Sequence, residues 1–546
     1  MMLEMDSHDE QNSLQGEACD EMARSLMVRM GCSPEAAQLC GRAVAAQANG
    51  DVCLGPLTQD EINALKGMPG IECVAMEETE IEKPFVLSGK MLYTRRNWQY
   101  EQNVGRRVKE MADAEAGNPM EVPYDGPFAG MEARQREGVE KMCNHRFALL
   151  TGGPGTGKTF TIARAVKLIR EQGGDVRLWL AAPTGKAAAR VKEAMVKEAE
   201  QLGLGDIPNA TTIHALLEPN SDLVTFRRNR RNPLPLDWLI VDEASMIDLP
   251  LMSKLLDALP EGCRLTLVGD ANQLASVEPG RVFGDLCRMS GLPKCVLNVS
   301  RRFPQGGEID NLATTVNEGY GQKALEMLKN PENRLLHYEA IHEKNAFQPE
   351  LWGGFLEVVK RHLEDFARQD TVRGALEKLN DCRVLCAMRH GPYGVDRLNQ
   401  FIKSKLGDKT PVPMMIVKNN RALGVNNGDV GVVMPRDDSF NLLNEDKTIR
   451  RIPLALLPDR EVAFASTIHK AQGSEYEDVV IVLPPTPFLP DTQNLNPLLT
   501  REILYTAITR TKNKVFLFGG DSSVIACCEH AIQRRTGLVV PGTSAD

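Results

Sequence analysis

The sequence predicts an α/β protein with two parallel-sheet domains in tandem. Its 546 residues exceed the roughly 250 to 300 residues at which a single hydrophobic core stops growing, so several domains are expected. Short apolar, β-rich runs alternate with helical stretches twice along the chain, from about 125 to 320 and again from about 381 to 525. Such alternation is typical of parallel sheets covered by helices.

The part of the chain before the first alternating block is expected to be helical. Apolar residues recur at helical spacing over 15–50, and Asn49-Gly50 is a helix stop signal. The stretch after Leu92 is polar and helical in character, and prolines and glycines near residue 125 interrupt it. We therefore predict a helical amino-terminal domain at 1–115.

The first alternating block predicts an α/β domain at 116–325, and the second predicts another at 326–546. Strands in the first block are expected at Phe147–Leu150, Leu178–Ala182, Trp238–Val241 and Arg264–Val268. Those in the second are expected at Arg383–Ala387, Val479–Leu483 and Lys514–Phe518. Glycine, asparagine, valine and proline are frequent near 408–458, which predicts a small antiparallel β-barrel inserted in the second domain.

Composition limits the classes of function. The net charge of -9 argues against a protein that coats nucleic acid through positive charge, but it is compatible with a motor that has a local basic groove. The first residues are acidic and no apolar run reaches the length of a membrane helix, so we expect a cytoplasmic protein with no membrane partner. The 13 cysteines are scattered without a C-x-x-C pair, which favours reduced, mostly buried thiols.

A phosphate-binding loop is predicted directly after the first strand. It fits the pattern G-x-x-x-x-G-K-[ST] and opens a helix predicted at Phe160–Gln172. Glycines let backbone N–H groups surround phosphates, and the helix amino terminus favours negative charge. Lys158 is expected to reach the β- and γ-phosphates of ATP, and Thr159 to hold Mg²⁺. The loop consists of Gly152, Gly153, Pro154, Gly155, Thr156, Gly157, Lys158 and Thr159.

Two carboxylates follow the third predicted strand. Asp242 and Glu243 come directly after an apolar run, so they are expected at the same sheet edge as the phosphate loop. Asp242 is predicted to bind Mg²⁺, and Glu243 to orient and deprotonate the attacking water. Gln273 follows the next strand and is a candidate sensor of the γ-phosphate. Arg302 and Arg510 are candidates for neutralising charge on the transferring phosphoryl group.

These segments, taken in order, resemble the motifs of superfamily one helicases. The set runs from Gln135 and the phosphate loop through Val241–Met246 and Gly269–Leu274 to Tyr505–Arg510. A closer resemblance is to the RecD family, the α subunits of exodeoxyribonuclease V (RecBCD), and it covers about 120–520. Its segments are Pro183–Ala188, Cys386–Gly394 and Ile468–Glu475, with less specific ones at Gly50–Leu54 and Leu92–Glu101.

The resemblance implies two RecA-like domains, a 5′-to-3′ DNA helicase activity and further residue roles. Gln135 is implied to recognise adenine. A single-strand groove is implied to contact phosphates without reading sequence, through Pro183, Thr184, Lys186, Thr212, His214, Thr467, His469, Lys470 and Gln472.

The implied partners are single- and double-stranded DNA and the RecB and RecC subunits. In RecD proteins the amino-terminal region docks on RecC, and the nuclease site belongs to RecB, so we expect no nuclease chemistry in this chain. Two alternatives remain open. One is a stand-alone RecD-like helicase, and the other is a DNA clamp in which ATP hydrolysis acts as a timer, because a phosphate loop specifies phosphate binding and not motion.

Overall fold

The computed structural model groups the chain into two compact units. The first comprises His8–Ala271, Ala275–Asn298 and Gln533–Asp546, and the second comprises Asn272–Leu274 and Val299–Ile532. The residues that the structure describes are 7–74, 81–115, 117, 119–172, 176–205, 208–220, 225–341, 349, 352–420, 422–444, 448–457, 459–486, 496 and 498–543.

The first unit begins with helices and a small sheet. The helices are α1 (Ser7–Arg29), α2 (Pro34–Ala48), α3 (Gln59–Leu65) and α4 (Arg95–Asp113). The strands β1 (Ile71–Val74), β2 (Phe85–Ser88) and β3 (Met91–Thr94) pair in that order, parallel and then antiparallel. The helical prediction for this region is therefore incomplete, because its described residues also form three short strands, and the helix predicted after Leu92 begins at Arg95, directly after β3.

A six-stranded parallel sheet forms the centre of the first unit. Its order is β6-β5-β7-β8-β4-β9, with β4 (Phe147–Gly152), β5 (Leu178–Ala182), β6 (Asn209–Thr212), β7 (Trp238–Val241), β8 (Arg264–Gly269) and β9 (Lys294–Leu297). The helices of this part are α5 (Ala133–Asn144), α6 (Lys158–Gln172), α7 (Gly185–Leu202), α8 (Ile213–Leu217), α9 (Leu249–Ala258) and α10 (Val282–Arg288). Every residue of β4 and β7 is buried, as expected for strands covered on both faces.

The second unit contains a five-stranded parallel sheet. Its order is β10-β19-β18-β11-β17, with β10 (Leu336–Ala340), β11 (Cys382–Cys386), β17 (Ala465–Thr467), β18 (Tyr476–Val482) and β19 (Thr511–Gly519). Its helices are α11 (Glu308–Glu318), α12 (Gly321–Leu328), α13 (Phe355–Ala367), α14 (Val372–Lys378), α15 (Val395–Leu406), α16 (Arg501–Ile508) and α17 (Asp521–Glu529). The prediction of an α/β protein with parallel sheets is confirmed.

An antiparallel sheet is inserted between α15 and β17. Its order is β15-β14-β13-β12-β16, with β12 (Val412–Ile416), β13 (Val430–Val433), β14 (Ser439–Leu443), β15 (Ile449–Pro453) and β16 (Arg460–Val462). Within the described residues β15 and β16 are opposite edges that do not pair, so the predicted β-barrel is not confirmed and the sheet is open. The predicted end of the insert, residue 458, lies outside the described residues, and β16 extends the sheet to Val462.

Two further predictions concern the whole chain. All 13 cysteines are free, and every one except Cys19 and Cys73 is buried, which confirms the prediction of mostly buried thiols. Among the residues with a described position, no helix combines the length and the apolar character that crossing a membrane requires.

Candidate active site

The phosphate loop lies between β4 and α6 in the first unit. Gly155 and Gly157 adopt positive φ angles of 77° and 86°, which side chains with a Cβ rarely allow. The Lys158 ammonium donates to the carbonyls of Gly152 (2.7 Å) and Gly153 (3.0 Å), and therefore lies across the loop. The loop thus has the backbone shape and the cation that phosphate binding requires.

Gln135 supports the loop from the start of α5. Its side chain is buried and donates to the Thr156 carbonyl at 3.5 Å, while its amide oxygen accepts from the Glu132 N–H at 3.3 Å. A Cβ at Gly157 would lie 2.6 Å from the Gln135 amide nitrogen, so only glycine leaves room for this contact. Gln135 and the phosphate loop are therefore brought together.

Asp242 and Glu243 follow β7, next but one to β4 in the sheet. Desolvation raises the pKa of Asp242, the neighbouring Glu243 carboxylate raises it further, and the Lys158 ammonium opposes both effects. Glu243 has a φ of 52°, a left-handed conformation that is costly for a residue with a side chain. Strain of this kind is typical of functional positions, and Lys158, Asp242 and Glu243 form one charged cluster.

The segment after β8 connects to the second unit's residues. Gln273 is buried, at 4% exposure. The next residue, Leu274, donates its N–H to the Thr506 hydroxyl at 3.1 Å, and its carbonyl accepts from the Gln472 amide at 2.9 Å. The residue after the predicted phosphate sensor is therefore hydrogen-bonded to two other predicted motifs, at Gln472 and at Thr506.

Arg302 and Arg510 lie close together in the second unit. Arg302 forms an ion pair with Glu475 and donates to the Thr509 carbonyl at 3.2 Å. Arg510 is 2% exposed and donates to the carbonyls of Thr506 (3.2 Å) and Ser474 (3.3 Å). Both guanidinium groups are therefore oriented by the same two segments. The first segment is residues 474–475, and the second is residues 506–509 at the end of α16.

The DNA-contact candidates of the first unit lie at helix starts. Thr184 is the N-cap of α7 and accepts from the Ala187 N–H at 3.2 Å, and Thr212 caps α8 in the same way. Pro183 precedes the first cap, and Lys186 lies in the first turn of α7. His214 is exposed, with its ring 5.9 Å from that of Phe226. These residues lie at or directly after the carboxyl ends of β5 and β6, which are neighbouring strands.

The candidates of the second unit lie at and directly after the end of β17. The Thr467 hydroxyl accepts from the Lys470 N–H at 3.3 Å, and the Lys470 ammonium pairs with Glu461 at 2.6 Å. His469 begins a short 3₁₀ turn and is half-buried. Gln472 is 8% exposed and is bonded to Leu274, so it has less access to a ligand than the other three.

Sequence reasoning missed the residues that orient these groups. Thr506 and Ser474 lie inside motifs that were recognised, but their hydrogen bonds to Leu274 and Arg510 join segments far apart in sequence. Glu475, the ion-pair partner of Arg302, is separated from it by 173 residues. Residue spacing does not reveal such long-range pairs. Glu475 could nevertheless have been noted as a possible partner for an arginine, because it is an acidic residue within a recognised motif.

Two family models match the chain. Residues 135–279 match the model described as an AAA domain, and residues 462–518 match the UvrD-like helicase C-terminal domain. The first match covers Gln135, the phosphate loop and Gln273. The second ends after the segment that includes Arg510.

Curated relatives identify the family. The RecBCD enzyme subunit RecD of Mycolicibacterium smegmatis is 38% identical over 477 residues, which is 83% of this chain and 82% of the relative. The chain belongs to the RecD family. The same subunit of Haemophilus influenzae is 29% identical over 533 residues, with 83% of this chain and 80% of the relative covered. The predicted resemblance to the RecD family is therefore confirmed.

More distant similarities lie outside these subunits. The ATP-dependent RecD2 DNA helicase of Deinococcus radiodurans is 30% identical over 427 residues, which is 75% of this chain and 52% of the relative. A structure of Pif1 helicases that unwind forked double-stranded DNA is 16% identical and covers 71% of this chain and 92% of that one. Its TM-score of 0.39 is too low to support a conclusion.

Proposed function

We propose that this member of the RecD family is the ATP-dependent 5′-to-3′ DNA helicase subunit of a RecBCD complex (exodeoxyribonuclease V). The complex would unwind double-strand breaks for recombinational repair in the cytoplasm. The main support is the similarity to RecD subunits over more than four fifths of both chains. Similarity to the ATP-dependent RecD2 DNA helicase extends over only 52% of that protein, so the RecD subunits are the better guide to function.

The first unit would bind ATP. Lys158 would contact the β- and γ-phosphates, Thr159 and Asp242 would hold Mg²⁺, and Gln135 would recognise adenine. Glu243 would orient and deprotonate the attacking water. The positive φ angles of Gly155 and Gly157 and the position of Lys158 over the loop carbonyls support this assignment.

The second unit would supply the groups that respond to the γ-phosphate. We assign Gln273 as its sensor, and Arg302 and Arg510 as the cations that neutralise charge on the transferring phosphoryl group. The shared anchoring of both arginines at 474–475 and at the end of α16 supports a joint role. The two parallel sheets would be the centres of RecA-like domains at 116–325 and 326–546.

Single-stranded DNA would contact residues at the carboxyl ends of β5 and β6 in the first unit and of β17 in the second. Hydroxyls, backbone N–H groups and the cations of Lys186 and Lys470 can hold phosphates without reading bases. The proposed set is Pro183, Thr184, Lys186, Thr212, His214, Thr467, His469, Lys470 and Gln472. The Gln472 amide already donates to Leu274, so within this set it has less capacity to contact a phosphate.

Co-purification and DNA-stimulated hydrolysis together test this function. We expect the chain to co-purify with RecB and RecC through a partner-docking domain at 1–115, and to hydrolyse ATP faster when single-stranded DNA is added. Stimulation without co-purification would favour a stand-alone helicase. Stimulated hydrolysis without displacement of a paired strand, in the assembled complex, would favour a clamp.

A further inference from the structure

The loop at 276–280 begins three residues after Gln273. It is held by Arg534, which lies 254 residues after Gly280 in the chain. The Arg534 guanidinium donates to three main-chain carbonyls of this loop, at 2.5 Å (Ser276), 2.9 Å (Glu278) and 2.8 Å (Gly280). Because a guanidinium is planar and rigid, one side chain that satisfies three carbonyls also fixes their relative positions. The conformation of the loop therefore depends on Arg534.

A glycine makes room for this arginine. Gly50 has a φ of 83°, and a Cβ there would lie 2.7 Å from the Arg534 Nε atom. Its carbonyl also accepts from the Gly280 N–H at 3.0 Å. The arginine therefore lies between the loop and the backbone at residue 50, where no larger side chain fits without displacing it.

A second arginine holds the other side of the same segment. The Arg281 guanidinium donates to the Ala271 carbonyl at 2.7 Å. Ala271 lies two residues before Gln273, and Ser276 lies three residues after it. Main-chain carbonyls on both sides of the predicted sensor are thus bound by arginines.

The segment that bears Arg534 is itself firmly attached to the first unit. The Arg535 N–H donates to the Asp51 carboxylate at 2.7 Å, and its carbonyl accepts from the Val52 N–H at 2.9 Å. Further along, the Gly537 N–H donates to Glu101 at 3.1 Å, and the side chains of Leu538 and Val540 are buried. Arg534 therefore projects from a fixed support rather than from a free end.

From these contacts we propose that Arg534 is a positioning residue for ATP hydrolysis, which acts by holding loop 276–280 and thereby the γ-phosphate sensor Gln273. The proposal rests on the proposed function. The described hydrogen bonds of Arg534 hold loop 276–280, so its loss should affect the rate of hydrolysis more than the binding of ATP. A misplacement of about 1 Å in a catalytic group can lower the rate by up to 10²-fold.

The test compares Arg534→Ala, Arg534→Lys and Arg535→Ala in the full chain assembled with its partner subunits. Arg535 is a matched control, because it is adjacent and exposed and its described hydrogen bonds come from its backbone. We measure kcat and KM for DNA-stimulated ATP hydrolysis, the affinity for a fluorescent ATP analogue, and the thermal midpoint. We expect Arg534→Ala to lower kcat about tenfold, with KM and affinity within about twofold of wild type.

Arg534→Lys should give an intermediate kcat, because an ammonium cannot span three carbonyls in a plane, and Arg535→Ala should match the wild type. If Arg534→Ala does not fold, the lysine variant decides. Unchanged kcat in the folded variants, or equal losses of kcat, affinity and thermal midpoint, would overturn the positioning role. Absence of DNA-stimulated hydrolysis in the wild type would instead overturn the proposed function and this inference with it.

Discussion

At the scale of single residues, the unusual conformation of Glu243 is informative. Its left-handed backbone directs the chain away from β7 into the short turn at 244–246, while the carboxylate stays beside Asp242. Few residues with a side chain tolerate this conformation, and the strain must be offset by the surrounding structure. The proposed role as the base that activates water gives a reason for this conformation.

Arg510→Ala should separate nucleotide binding from hydrolysis. The buried guanidinium is held by the carbonyls of Thr506 and Ser474, and its proposed target is the phosphoryl group in transfer. We expect ATP affinity to stay near that of wild type while single-turnover hydrolysis falls by roughly 10³-fold. The exposed Lys512→Ala serves as the control, and normal hydrolysis in Arg510→Ala would remove this arginine from the mechanism.

Glu101 should make stability depend on pH. Burial raises the pKa of its carboxyl to about 7, nearby Asp285 raises it slightly, and hydrogen bonds from Thr536, Tyr93 and Gly537 oppose the shift. Because the pKa is higher in the folded protein, the Glu101 carboxyl keeps its proton there between about pH 4.5 and 7, whereas it is ionised in the unfolded chain. The contribution to stability is therefore complete below about pH 4.5 and falls as the pH rises to about 7.

Glu101→Gln isolates this effect. The difference in denaturation midpoint between wild type and variant, measured from pH 4.5 to 8, should shift in favour of the variant as the pH rises. Other titrating groups contribute equally to both proteins and cancel in the difference. A difference that stays constant across this range would contradict the raised pKa.

At the scale of secondary-structure elements, the Thr184 hydroxyl is expected to stabilise α7, in addition to the proposed contact of Thr184 with DNA. Its hydroxyl caps α7, and the loss of such a cap lowers the free energy of unfolding by about 1 kcal/mol. Thr184→Ala should therefore shift the denaturation midpoint, whereas Thr184→Ser, which keeps the hydroxyl, should not. Equal stability of the alanine variant and the wild type would show that this cap contributes nothing.

The central strands were predictable because their sequences are apolar and bounded. The predicted and observed limits of Leu178–Ala182 and Trp238–Val241 are identical, since both strands are buried between polar or helix-starting segments. The four-residue strands β1, β2 and β3 were missed, because their length gives little periodicity and pairing across a sheet stabilises them. The open edge of the inserted sheet also depends on pairing, which local sequence does not specify.

Candidate residues within motifs were predictable, whereas their supports were not. Lys158, Asp242 and Glu243 were recognised from spacing after apolar strands, and the structure gathers them into one cluster. Arg534 lies in no recognised motif, and its partners are 254 to 258 residues away. Hydrogen bonds over such separations depend on the tertiary fold, so local patterns contain no signal for them.

At the scale of the whole molecule, each of the two compact units is built from segments that are not consecutive in the sequence. After completing the second unit at Ile532, the chain returns to the first unit, where Gln533 and the residues that follow pack. The sensor segment Asn272–Leu274 groups with the second unit although its flanking residues group with the first. The chain therefore passes from one unit to the other at residues 271–272, 274–275, 298–299 and 532–533.

Strand displacement tests the central claim most directly. The purified chain is given ATP, Mg²⁺ and partial duplexes with either a 5′ or a 3′ single-stranded tail. We predict displacement from the 5′-tailed duplex only, and none with Lys158→Ala, which removes the ammonium from the loop. Displacement from the 3′-tailed duplex alone, or undiminished displacement by Lys158→Ala, would contradict the proposed 5′-to-3′ helicase.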